Sequence, residues 1–324
     1  MEKASLWTDT KLKNLTEVKE TFLSEKSDQQ GRGRGGQIGG IYTDFTVNQQ
    51  LQNDQEIIIN GQSWFFNKFN YGYVYKFLDD SLDPQENNGY IVALSNNQEV
   101  RYFINYFSQN AQVSLQLLLN NYNKAVQVLS QPVVVDDGFL LWLFQKYYND
   151  DTEFQISDRE GVGPSILAID SILAVKGDTS DQITSIDASG EQISNYISVL
   201  SFLLESSNLY KMGLRISYGP HKKIEFVIDR PRKSSFISID VVNYTGTLEK
   251  ESLDSKIAKL LIIVNLIIFP KLIQIYQEDT TWNAQSMEKF FSDLGSDIRI
   301  RTDSLLKDVQ DKISLDTIQT DLNV

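Results

Sequence analysis

A chain of 324 residues with no cysteine and one histidine, His221, lacks the side chains that most often do chemistry at neutral pH. Thiolate nucleophiles, cysteine-ligated zinc, disulfides and thioether-linked haem are excluded; a Ser-His-Asp triad must use His221, and a metal site must be built from carboxylate and carbonyl oxygens. A net charge of −13 and a pI of about 4.6 oppose contact with nucleic acid or anionic lipid except at local basic patches.

The length exceeds that at which one hydrophobic core usually stops growing. Composition divides the chain into an N-terminal helix and linker (1–30), a β-meander with helices (37–150) and an α+β C-terminal domain (151–324). Met1-Glu2-Lys3-Ala4-Ser5 carries no apolar signal core, and zero cysteines fits a reducing compartment, so the expected location is cytoplasmic.

Leu12, Leu15, Val18, Phe22 and Leu23 recur at helical spacing and predict a short amphipathic helix within 10–26, followed by a flexible, glycine-dense connection over 27–40. In 56–66, Asn60-Gly61 separates two strand-like runs, a strong hairpin signal. Strands at 71–77 and 90–94 continue the pattern, with turns at Asp83-Pro84 and Asn87-Asn88-Gly89, so 37–95 reads as an antiparallel meander.

Leu115, Leu118, Leu119, Tyr122, Val126 and Leu129 then give 100–129 a helical period, broken near Gln109. Pro132 interrupts it, and Asp136-Asp137-Gly138 leads into an apolar helix over 139–148. The apolar run 165–175 fits strand and helix equally. A helix over 191–204 precedes three strands at 213–218, 223–229 and 235–244, turned by Gly219-Pro220 and Arg230-Pro231-Arg232.

A buried helix covers 250–277. Its apolar centre, 260–269, is too short for a bilayer; Lys259 and Lys271 bracket it, Asn265 interrupts it and Pro270 kinks it, so no membrane contact is expected. A further helix runs over 283–313. The expected fold class is α+β: an antiparallel β-meander in the N-terminal half, a helical middle, and a second three-stranded antiparallel meander followed by a buried C-terminal helix pair.

Four features bear on function. Gly31-Arg32-Gly33-Arg34-Gly35-Gly36 offers backbone amides and two arginines to a phosphate, but it follows a helix and lacks a P-loop ending, so a solvated linker is the plainer reading. The strand ending in Asp170 has no phosphate loop to serve, which leaves Asp170 as a turn or cap residue. Lys222, Lys223, Arg230, Arg232 and Lys233 concentrate positive charge in the second meander and, with Arg32 and Arg34, are the candidate nucleic-acid contacts. At about 3.3 Å per strand residue the two clusters fall at opposite ends of the sheet, as solubilising turns would.

The fourth feature is carboxylate. Glu225 and Asp229 share a strand face and Asp240 lies on the neighbouring strand, the kind of set that holds Mg²⁺ in a nuclease, although no acidic-x-lysine pair follows Asp240. His221 reads as an exposed turn residue whose pKa the adjacent lysines lower. Trp64, Phe66, Tyr73 and Tyr75 are expected to serve a core on one face of the hairpin and a subunit interface on the other.

The favoured reading is a non-enzymatic cytoplasmic assembly subunit that meets a protein partner or a second copy of itself and needs no cofactor. The alternative is a nucleic-acid-acting protein of a bacterial or phage defence system. Glu225, Asp229 and Asp240 would then be catalytic, with Mg²⁺.

Overall fold

Fifteen antiparallel strands hydrogen-bond into one sheet in the computed structural model, which describes residues 1–32, 38–79, 81–106, 108–122, 127–132, 134–136, 138–156, 165–179, 185–190, 197–230 and 236–321. In chain order these residues form β1 (Glu2–Asp9), α1 (Leu15–Leu23), β2 (Gln29–Arg32), β3 (Ile38–Gln49), β4 (Gln55–Ile59), β5 (Gln62–Phe77), β6 (Gln85–Ser95) and β7 (Val100–Ile104). Next come α2 (Ser108–Leu118), β8 (Val128–Ser130), α3 (Gly138–Tyr148), β9 (Glu153–Ile156), β10 (Ser165–Thr179), β11 (Ser185–Ser189) and α4 (Ile197–Glu205). The last group is β12 (Ser206–Tyr218), β13 (His221–Asp229), β14 (Phe236–Asp240), β15 (Thr245–Gly246), α5 (Leu253–Ile262), a π-helical stretch (Ile263–Ile268), α6 (Phe269–Glu278) and α7 (Ala284–Asp321). The fold class is mixed α+β, with the expected N-terminal strand meander and C-terminal helices.

Alternation along each strand feeds two cores. On β5, Trp64 and Phe66 enter one core and Phe69, Tyr71 and Tyr73 the other. Val92 and Leu94 of β6 divide from Ile91 and Ala93 in the same way, as Phe103 of β7 does from Tyr102 and Ile104. Both faces of this half of the sheet are therefore apolar, one under α3 and the α5–α6 helix, the other under α1 and α2. In the C-terminal half the first core continues through Met212, Leu214 and Ile216 of β12 and Ile224, Phe226 and Ile228 of β13, and the opposite face is polar.

The seam between the halves is β1. Glu2–Ala4 pairs with β14, and Ser5–Asp9 pairs with β7. Asp9, only 2% exposed, ends the strand as a hydrogen-bonded hub. Its carboxylate accepts the amides of Lys11 (2.7 Å) and Leu12 (2.9 Å), the Tyr102 hydroxyl (2.8 Å) and Gln127 Nε2 (2.9 Å), which satisfies a buried charge. A reciprocal cap then starts α1: Asn14 Oδ1 accepts from Glu17 N at 2.9 Å, and Glu17 Oε2 accepts from Lys13 N at 2.9 Å.

The Asn60-Gly61 hairpin forms as expected, with φ of 52° and 75° at its two turn residues, the positive pair such a turn requires. Several local expectations are corrected. A strand, β1, precedes the first helix. Gln29–Arg32 is strand β2, paired with β3 where a flexible connection was expected, and 33–37 lies outside the described residues. Asn87-Asn88-Gly89 is no turn but mid-strand, paired with Tyr73, Gly72 and Tyr71. The stretch 100–129 opens with β7 and closes with β8, leaving helix among its described residues only at α2. The undecided run at 165–175 is β10.

The apolar helix 253–278 is the one stretch among the described residues long and apolar enough to cross a membrane, and 72% of its apolar window is buried in the fold. Its π stretch lies just before Pro270, where a missing amide donor disturbs the helical ladder, and Asn265 Nδ2 donates to Leu261 O at 2.9 Å inside it. Lys68, 4% exposed, pairs with Asp254 at 2.5 Å and fixes the start of this helix to β5.

Candidate functional site

The register of the second meander places Glu225 opposite Asp240, and Asp229 opposite Phe236. Glu225 and Asp229 thus share the polar face, as their spacing requires. Arg215 occupies Glu225: Nη2 lies 2.6 Å and Nε 2.8 Å from Oε1, and Asn243 Nδ2 donates to Oε2 at 3.0 Å. A pair this buried holds a side chain in place, because removing one partner strands a charge at a cost of about 3–5 kcal/mol. Asp240 accepts from Val242 N at 2.8 Å and shapes the following turn. Among the described residues no group of three His, Asp or Glu side chains is placed to hold a metal ion.

The basic residues separate. Lys222 and Lys223 are exposed at the start of β13, and Arg230 lies beyond its far end, about 26 Å away at the strand rise. Arg230 is no surface contact: it is 6% exposed and its Nη1 donates to the Val135 carbonyl at 3.1 Å. Arg34, Arg232 and Lys233 lie outside the described residues, as does the side chain of Arg32, which closes β2. His221 is corrected too. It is half-buried at the start of β13, with Nδ1 2.7 Å from the Tyr244 hydroxyl. Burial lowers its pKa first, with Lys259 adding to that and Glu251 opposing it.

Of the expected interface aromatics, Trp64, Phe66 and Tyr73 are core residues, 3%, 0% and 6% exposed. Residues from both faces of β5 enter the two cores, while Phe65 stays 36% exposed. Tyr73 hydrogen-bonds Ser114 of α2 at 2.9 Å. Tyr75 is half-buried beside Tyr42, with ring centroids 4.7 Å apart, and lies across the facing glycines Gly31 and Gly40. A Cβ at Gly31 would meet Tyr75 Cε2 at 2.5 Å and one at Gly40 would meet Tyr75 Cζ at 2.6 Å. These glycines admit an aromatic ring, a role that composition alone could not separate from phosphate binding. Asp170 is neither turn nor cap: it lies within β10 at a register shift and accepts from Ser217 Oγ at 2.6 Å.

Among the described residues, a run of exposed apolar side chains lies on α7. Asn283 caps this helix by accepting from Gln285 N (3.0 Å) and Ser286 N (3.1 Å). Phe290 and Leu294 then enter the first core, Ile298 packs at its edge, and α4 packs alongside. Beyond Arg301 the described side chains are exposed. Leu305, Leu306, Val309 and Ile313 are 56%, 56%, 51% and 61% exposed. At 3.6 residues per turn they fall within an arc of about 100° that continues the face of Phe291, Leu294 and Ile298. The apolar seam thus outlasts the body it packs on. Only the fold tells which part of the stripe is covered. Compared with known proteins, the chain matches no family model and no curated relative.

Proposed function

We propose that this protein is a non-enzymatic assembly subunit of the cytoplasm that associates with a second copy of itself through the distal half of α7. The observation that carries this reading is the run of Leu305, Leu306, Val309 and Ile313, an exposed extension of a seam that is core a few turns earlier. Four exposed apolar residues on one helical arc are the pattern that buries itself against another helix.

Charge favours a second copy as occupant. The protein carries −13, so two bodies repel, yet over 297–313 Arg299, Arg301, Lys307 and Lys312 balance Asp297, Asp303, Asp308 and Asp311. A neutral rod is where two acidic molecules meet at least electrostatic cost. The 38 residues of α7 extend about 57 Å. Pairing at the distal end keeps the bodies further apart than the Debye length of about 8 Å in physiological salt. The lack of cysteine is the support for a reducing cytoplasm.

Light scattering coupled to size exclusion tests the reading. The full chain is expected at twice 37.0 kDa, and the double variant Leu305→Glu, Val309→Glu is expected to run as a monomer with an unchanged melting temperature. Because the bodies already lie beyond the Debye length, raising salt above the physiological level is expected to leave the dimer unchanged. A wild-type monomer at tens of micromolar, or a dimer indifferent to the double variant, overturns the proposal.

A further inference from the structure

The link from α1 to β2 carries a lysine whose surroundings differ from those of the other amines on this acidic surface. Lys26 folds back over the end of α1, where Nζ donates to the Thr21 carbonyl and lies 3.3 Å from Ser24 Oγ. Ser24 Oγ in turn donates to Thr21 O at 2.8 Å and receives Asn120 Nδ2 at 3.3 Å. The amine lines a cavity of about 520 Å³ together with Glu25, Ser27, Gln29, Asn120 and Tyr122. That volume lies within the range of small-molecule sites.

We infer that Lys26 is a nucleophilic amine site that takes up a small hydroxylated aldehyde or ketone as an imine within this cavity. Three observations converge on that chemistry. First, the bonds from Nζ to Thr21 O and Ser24 Oγ hold the amine in one place at the wall of the cavity, where a carbonyl carbon can reach it. Second, burial lowers the lysine to about 8, and no charged neighbour contributes to that shift. A desolvated lysine in this range has an appreciable neutral fraction at physiological pH, the state that attacks carbonyl carbon. Third, the lining supplies hydroxyl, amide and carboxylate groups plus one tyrosine and no aliphatic side chain, which suits a ligand bearing hydroxyls.

The reaction balances without a further reagent. The amine lone pair attacks the carbonyl carbon, a C–N bond forms, and the carbonyl π pair moves to oxygen, which is protonated. The nitrogen then loses its protons as the C–O bond breaks and one water leaves. Water entering the cavity accepts and returns those protons.

Glyceraldehyde with sodium cyanoborohydride, which reduces an imine to a stable secondary amine, tests the site on the intact chain. Peptide mapping at pH 7.5 is expected to find Lys26 modified at least tenfold faster than the exposed Lys223, with a rate profile whose midpoint lies near pH 8. Lys26→Arg keeps the cation and its donors, and is expected to remove the fast-modified peptide while leaving the melting temperature unchanged. Label spread evenly over exposed lysines, or a Lys26 rate still climbing above pH 10 like an ordinary amine, overturns the inference.

Discussion

His221 shows what one neighbour and a little burial do to a titrating side chain. Its ring nitrogen meets the Tyr244 hydroxyl at 2.7 Å, and its backbone pairs with Gly246 of β15. Burial outweighs the attraction of Glu251, and Lys259 adds to it, so the folded protein holds the imidazole below its ordinary value of 6.5. The unfolded chain therefore binds a proton at a pH where the native one does not. Stability from this group is complete above pH 6.5 and is lost as pH falls from there toward the lower folded value. Urea midpoints measured between pH 7.5 and 5 are expected to decline, and His221→Gln is expected to flatten that decline. An unchanged slope in the variant would assign the effect to carboxylates instead.

The same logic, one interaction at a time, governs which elements of this fold were legible in sequence. The Asn60-Gly61 hairpin was, because its turn needs positive φ at both residues and that chemistry is local. The helix 253–278 was, because its apolar run has no other soluble solution than burial. Strand β1 was missed because Lys3-Ala4-Ser5-Leu6-Trp7-Thr8 alternates only weakly, and its reason for being a strand lies in β14 and β7, far along the chain. Strand β7 was read as helix because both faces of the sheet are covered there, which erases the period of two and leaves an apolar run.

At the candidate sites the limit was pairing. Spacing put Glu225 and Asp229 on one face correctly, but Arg215, ten residues upstream of Glu225, neutralises the acid only once the hairpin is formed. The helix at 283–313 was legible, though not the apolar seam along it nor where its cover ends. One helix position offers a direct check on that element. Gly295 lies within α7, and a Cβ built there meets nothing within 4 Å. With no clash to offset it, Gly295→Ala is expected to stabilise the fold by about 1 kcal/mol through helix propensity and reduced freedom of the unfolded chain. A higher urea midpoint at constant slope would bear this out; a lower one would mean the glycine serves a contact that α7 makes outside the monomer.

Across the whole molecule, the question is whether the two half-sheets unfold together. Three links argue that they do. Strand β1 belongs to both, the first core includes Trp64, Phe66 and Phe103 beside Phe226, Leu260 and Phe269, and Lys68 of β5 binds Asp254 at the start of the helix whose later residues enter that shared core. Separating the halves would expose that core and leave Lys68 without Asp254, so a half-folded state gains chain entropy only by opening its best-packed region. A single calorimetric transition, with van't Hoff and calorimetric enthalpies equal, is the expected result. Trp7, 5% exposed on β1, sharpens the test. Trp7→Ala creates a cavity costing about 3–5 kcal/mol. If the halves are coupled, hydrogen exchange in β6 and in β13 must accelerate by the same factor in this variant. Acceleration in β6 alone, or two resolved melting transitions, would show that β1 ties together two independently stable units.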